Sequence, residues 1–154
     1  MATWREFETS APGMAEAGRK LLYQYGPGLA YLGTVRKDGG PRVHPFCPVV
    51  AEGGLFGLIG PSPKRRDLLR DGRYAIHAFP QKDGDDEFYV TGIARPADDA
   101  GLQERVHAAY LASGSTSSGD ETFFEFLIER ALLAIYPKTE RPNWPPTYTK
   151  WRAP

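Results

Sequence analysis

Three consecutive cations, Lys64, Arg65 and Arg66, follow Ser62-Pro63 and precede Asp67-Leu68-Leu69-Arg70-Asp71-Gly72. Ser62 reads as a helix N-cap, Pro63 as the first helical residue and Asp71-Gly72 as the stop, so the cations fall in the first turn. A helix N-terminus already carries roughly half a positive charge, and cations there oppose the macrodipole. An anion held by the free backbone N–H groups and the basic side chains would reverse that penalty; phosphate is the usual one. The same residues would also serve as a solvated basic turn with its side chains in water. Upstream, an extended segment alternates Arg42, His44 and Phe46 with Val43, Pro45 and Cys47. One face thus carries a cation, an imidazole and an aromatic ring. It is either a ligand face or the solvent side of the strand, and its proximity to the Lys64 turn through the intervening hairpin favours the ligand face.

Other chemistries find little support. His44, His77 and His107 are far apart, and none has metal-ligand spacing with cysteine or carboxylates, so no metal is expected. No Gly-x-Ser-x-Gly elbow is present, and Gly26-Pro27-Gly28 is a turn rather than a dinucleotide fingerprint. The single cysteine, Cys47, excludes an internal disulfide, fits a reducing compartment and reads as a buried strand thiol. Nineteen basic and nineteen acidic residues cancel, which argues against general attraction to nucleic acid or anionic membrane. The opening Met-Ala-Thr-Trp-Arg-Glu has no apolar signal region and no run is long enough to span a bilayer, so a cytoplasmic protein without membrane partners is expected.

The elements that must position these residues are mostly strands. A chain of 154 residues is sized for one domain, 1–154, and 17 Gly and 14 Pro with 8 Tyr and 8 Phe suggest short strands joined by turns. Met14, Leu21, Leu22 and Tyr25 predict a helix over 14–25, ended by Gly26-Pro27-Gly28. Strands are predicted over 29–37 (with Leu29, Tyr31, Gly33 and Val35 on one face), 42–51 and 55–59, a three-strand meander joined by Asp38-Gly39-Gly40 and Glu52-Gly53-Gly54. Pro45 and Pro48 cannot donate to a ladder and place the second strand at an edge or bulge. Strands over 73–79 and 87–95, a helix capped by Asp98-Asp99 and one long or bulged strand over 123–136 follow. The Pro- and Trp-rich tail reads as extended. Six mostly hairpin-joined strands imply an antiparallel barrel or sandwich with flanking helices, mainly β within the α+β class.

Leu32-Gly-Thr-Val-Arg-Lys-Asp-Gly-Gly-Pro-Arg-Val-His-Pro45, then Leu55-Phe-Gly-Leu-Ile-Gly-Pro-Ser-Pro-Lys64, then Leu68-Leu-Arg-Asp-Gly-Arg-Tyr74 resemble the pyridoxamine 5′-phosphate oxidase-like, FMN-binding split-barrel family. The likeness covers about residues 29–95 well and the C-terminal strand loosely. It implies a six-stranded antiparallel split β-barrel and a homodimer with FMN in two clefts between the subunits. Carried over, it implies that Lys64 and Arg42 hold the FMN phosphate, with Ser62 and Pro63 lining the same turn. Val43, His44, Pro45, Phe46 and Cys47 would run beside the isoalloxazine ring, and Leu58 and Ile59 would approach from the neighbouring strand. Glu87 would be a polar contact from the other subunit, and Trp144 or Trp151 would close the pocket.

The departures concern substrate. Cys47 stands where true pyridoxamine phosphate oxidases carry a lysine for the substrate phosphate, and the chain ends Tyr-Thr-Lys-Trp-Arg-Ala-Pro in place of their Arg-His-type motif. Asp71-Gly72-Arg73 replaces Asp-Pro-Arg, which loosens a turn without altering the site. The resemblance therefore implies an FMN-dependent oxidoreductase with an unassigned small-molecule substrate. A deazaflavin-dependent reductase and a non-catalytic, stress-related flavin-binding protein remain as alternatives.

Overall fold

A computed structural model describes residues 1–138 and 145–154. The helices are α1 (Trp4–Ser10), α2 (Pro12–Leu22), α3 (Pro63–Arg70) and α4 (Ala100–Ala112). The strands are β1 (Ala30–Val35), β2 (Pro41–Phe46), β3 (Pro48–Ala51), β4 (Gly54–Ile59), β5 (Arg73–Ala78), β6 (Glu87–Pro96), β7 (Thr122–Ile135) and β8 (Thr147–Arg152). α3 starts as its sequence predicts: Ser62 is the N-cap, its hydroxyl accepting from Arg65 N at 3.3 Å, and Pro63 is the first residue. α4 begins after Asp99, whose carboxylate accepts from Leu102 N at 2.6 Å. α1 is absent from the sequence reading. A capping box starts it: Thr3 Oγ1 accepts from Glu6 N, and the Glu6 carboxylate accepts from Thr3 N at 2.7 Å.

All strands belong to one antiparallel sheet ordered β2-β1-β5-β6-β7-β4-β3, with β8 added along β7. β2 and β3 lie at opposite ends of that order yet are consecutive in the chain, joined only through Cys47. The sheet therefore curls until its two edges meet at this residue. Here the predicted 42–51 strand and the three-strand meander are corrected. Pro45 and Pro48 bracket Cys47 and cannot donate, so the chain leaves the β1 ladder at Phe46 and enters the β4 ladder at Pro48. The break and the β8 tail raise the expected six strands to eight. Among the described residues β2 pairs with β1 alone, which makes it the predicted edge strand.

The interior of the curl holds Phe124, Phe126, Leu32, Ile76 and Val90, and α1 and α2 bring Trp4, Phe7 and Leu22 to the same core. On β1 the buried face is Ala30, Leu32 and Thr34, opposite to the Tyr31 face. A second cluster of Val49, Phe56, Leu58, Val106 and Tyr110 lies between β3–β4 and α4.

The loop before β7 is tied to one carboxylate. Glu121 accepts from Ser118 N at 2.6 Å, Gly119 N at 2.9 Å and Ser117 Oγ at 3.0 Å. Burial pushes its pKa up, but the hydrogen bonds from Ser118 and Ser117 outweigh it and hold the group at about 2. A carboxylate depressed in the folded state stabilises fully above its unfolded pKa, about 4.3, and loses that stabilisation as pH falls through the folded value. Thermal melts from pH 6 down to pH 2 should therefore show wild type losing more stability than Glu121→Gln, the two curves converging in acid. A gap independent of pH would contradict the assignment.

Candidate functional site

The start of α3 sits against the open end of β2. Lys64 Nζ donates to Pro45 O at 3.3 Å, which joins the basic turn to the strand carrying Arg42 and His44. Lys64 is half-buried, and no carboxylate among the described residues pairs with it. Burial pulls its ammonium below the usual lysine range, with Cys47 acting in the opposite sense. The other two cations of the turn go elsewhere. Arg65 Nη1 donates to Asp120 O at 2.9 Å, and Arg66 is exposed.

β2 presents Arg42, His44 and Phe46 to the inner side of the sheet, opposite Thr34, Leu32 and Ala30 of β1. Their neighbours Val43 and Pro45 face outward, Val43 with 64% exposure. The solvent-side alternative for the Arg42 face is thereby removed. Phe46 is buried against Phe126, ring centroids 5.8 Å apart, and closes the barrel below the site. His44 lies between two cations. Burial holds its imidazole below the usual histidine range and Lys64 and Arg42 act in the same direction, against Asp67. Burial and the two cations thus favour the uncharged ring. Its Nε2 is buried and has no hydrogen-bond partner among the described residues. An orphaned buried nitrogen beside Arg42 and an unpaired lysine fits an anionic, hydrogen-bonding ligand such as a phosphate-bearing cofactor.

Arg42 is ion-paired: its Nε donates to Asp67 Oδ2 at 2.7 Å. Asp67 also accepts from Thr34 Oγ1 at 3.0 Å and from Arg70 Nη1 at 3.2 Å. Burial alone would raise its pKa, but the bonds from Arg42, Thr34 and Arg70 hold it below the usual carboxylate range. Arg42 also borders a depression of about 550 Å³ shared with Arg36, Lys37 and Asp38. Sequence reasoning missed Asp67 and Thr34. The available signal was a carboxylate between cations on a helix whose Leu68 must face the sheet.

The remaining sequence-derived candidates scatter. Leu58 and Ile59 are both buried on opposite faces of β4, Leu58 in the α4 cluster and Ile59 in the main core. β4 does not pair with β2, although the Phe46 ring packs close to Gly57 across the seam. Glu87 pairs with Ala134 and Ile59 with Thr122, near opposite ends of β7, about 40 Å apart along an extended strand. Within one chain Glu87 thus stands apart from Lys64, beside His77 and Tyr136. Trp151 packs on Phe7, ring centroids 4.9 Å apart, and its Nε1 donates to Ser10 Oγ at 3.0 Å, which fastens the tail to α1. Trp144 lies outside the described residues. No group of His, Cys, Asp and Glu suited to a metal occurs among the described residues. No helix there is long and apolar enough to cross a membrane.

This sheet and its flanking helices form a split-barrel fold, with two extra strands beyond the predicted six. No family model matches the sequence, and no curated protein matches it. Among solved structures, a candidate pyridoxamine 5′-phosphate oxidase from Listeria innocua superposes with a TM-score of 0.61 at 16% identity, covering 75% of this chain and 94% of that one. HutZ, the heme storage protein from Vibrio cholerae, gives 0.59 at 20% identity over 74% and 89% of the two chains. A heme binding protein from Mycobacterium smegmatis gives 0.62 at 15% identity over 86% of this chain, which spans 57% of the length of that protein. Identities this low establish the fold. They leave the bound group to the site itself.

Proposed function

We propose that this protein binds FMN, its phosphate held by Lys64 and Arg42 at the start of α3 and its ring along Val43–Cys47, and that it acts as a flavin-dependent oxidoreductase on a small organic molecule. One observation carries the reading: Lys64, Arg42 and the His44 nitrogen, unpartnered among the described residues, converge on one helix start. When bound, FMN supplies hydride and single-electron chemistry; the chain supplies binding, orientation and electrostatics. Lys64 gives the phosphate a charge for which no carboxylate among the described residues competes, and Arg42 adds the donors that Asp67 leaves unused. Ser62 Oγ is occupied by Arg65 N and serves as the cap that shapes the turn. His44 offers a hydrogen bond through its buried Nε2. The same turn suits a deazaflavin phosphate equally well.

Two copies complete the site in this reading. Support comes from the β2 edge and its outer face, where Val43, Pro45 and Tyr31 (39% exposed) lie side by side and Tyr31 stacks on Phe79 with centroids 4.4 Å apart. An unpaired edge beneath an apolar face is suited to a partner surface. Light scattering on the eluted protein should give a dimer, and Val43→Asp should shift it towards monomer while weakening FMN binding.

The deciding experiment is the absorption spectrum of the purified protein with an FMN titration. A flavin spectrum or saturable FMN binding supports the proposal. A colourless protein that binds no flavin refutes it, and a Soret band in its place would transfer the site to heme, which two of the similar structures carry in their names. Reduction of bound flavin by a nicotinamide, with reoxidation by an acceptor, separates an enzyme from a protein that only binds flavin.

A further inference from the structure

A carboxylate among phosphate ligands repels the ligand unless it improves the residues around it. Asp67 is 3% exposed and receives three hydrogen bonds, from Arg42, Thr34 and Arg70. Thr34 is equally buried, so one side of this junction is closed to water. The contact to Arg42 is made at Nε, the root of the guanidinium. Its two terminal nitrogens bond nothing among the described residues, and they form the fork that takes two phosphate oxygens at once. An arginine without such a tether would sample many rotamers before meeting a ligand.

We propose, resting on the phosphate reading of Lys64 and Arg42, that Asp67 is a positioning residue: it anchors Arg42 by Nε so that the terminal nitrogens face the cofactor phosphate. Two opposed effects make this testable. Simple charge counting says that removing Asp67 strengthens binding of an anion, because one negative charge leaves the site. Positioning says that removing it weakens binding, because Arg42 loses its orientation.

FMN and riboflavin differ only in the phosphate, so the ratio of their affinities isolates this contact. Wild type should prefer FMN. Asp67→Asn should reduce that preference by about tenfold, the loss of one well-oriented charged hydrogen bond, with riboflavin affinity unchanged. Asp67→Glu should restore part of it. Thr34→Val, which removes one support of the carboxylate without altering charge, should lower the preference less, and it decides the matter if Asp67→Asn does not fold. A role confined to fold stability would lower both affinities together or the melting temperature alone, and either result overturns the proposal. So does an Asp67→Asn protein that binds FMN more tightly or with unchanged preference, or an unchanged preference in Thr34→Val. Wild type with no preference for FMN over riboflavin would instead refute the phosphate reading, and this proposal with it.

Discussion

Lys64→Ala should weaken FMN binding at least tenfold, a loss of about 1.4 kcal/mol, with little change in thermal stability. Lys64 is half-buried at the start of α3, and its one hydrogen bond among the described residues is to the Pro45 carbonyl at 3.3 Å. Removing it leaves no buried carboxylate unpaired, so the fold should tolerate the change. The effect should shrink as salt rises, since part of the attraction is between charges open to solvent. Arg65→Ala and Arg66→Ala are the internal comparison. Arg65 is directed at the Asp120 carbonyl and Arg66 at water, so each should alter affinity by less than about twofold. Isothermal titration of the three variants with FMN checks this, and unchanged affinity in Lys64→Ala removes the phosphate assignment.

The second large effect concerns the fold that holds the site. Trp4→Ala should destabilise the protein by about 3–5 kcal/mol, a large part of the stability of an ordinary domain. Trp4 is fully buried, meets Phe7 edge-on at 5.4 Å and Phe88 at 6.3 Å, and lies under the Arg19 guanidinium at 5.6 Å. Its ring plugs the core where α1 crosses β4 and β7, and Ala2 beside it bridges to Ile128. Deleting the ring leaves a cavity that the surrounding sheet cannot collapse into. The melting temperature should fall by about 10 °C for a chain of this size. Trp4→Phe should lose far less, because it keeps most of the ring and removes an indole N–H that is buried without a partner among the described residues. Equal losses in the two variants would show that the cavity is not the cause.

Local chemistry made much of this protein legible in its sequence. Ser62-Pro63 placed the start of α3 to the residue, because a cap and a fixed φ act within one turn. Asp38-Gly39-Gly40 placed the β1–β2 hairpin, where Gly39 takes φ +84° and Gly40 N donates to Asp38 Oδ1 at 3.0 Å. Alternation put Arg42, His44 and Phe46 on one face. The Thr3-x-x-Glu6 box is equally local, but a seven-residue helix carries too little periodicity to predict an element from it.

Tertiary structure decided the rest, wherever the answer depended on residues distant in sequence. Alternation defines two faces of β2 but does not say which is inside; the pairing of His44 with Leu32 and Arg42 with Thr34 turns the basic face inward. Two prolines announce an irregular strand, yet only the curl of the whole sheet makes Cys47 the seam between its two edges. Arg42 and Asp67 are 25 residues apart, and no local rule pairs them. The tail reads as extended, and becomes a strand only because β7 offers it a free ladder and Phe7 and Ser10 receive Trp151. The sequence by itself determined the basic helix start and the strand that faces it. The closure of the sheet brought them together and placed a buried carboxylate between them, because burial and ion pairing arise from contacts that form only when distant segments pack.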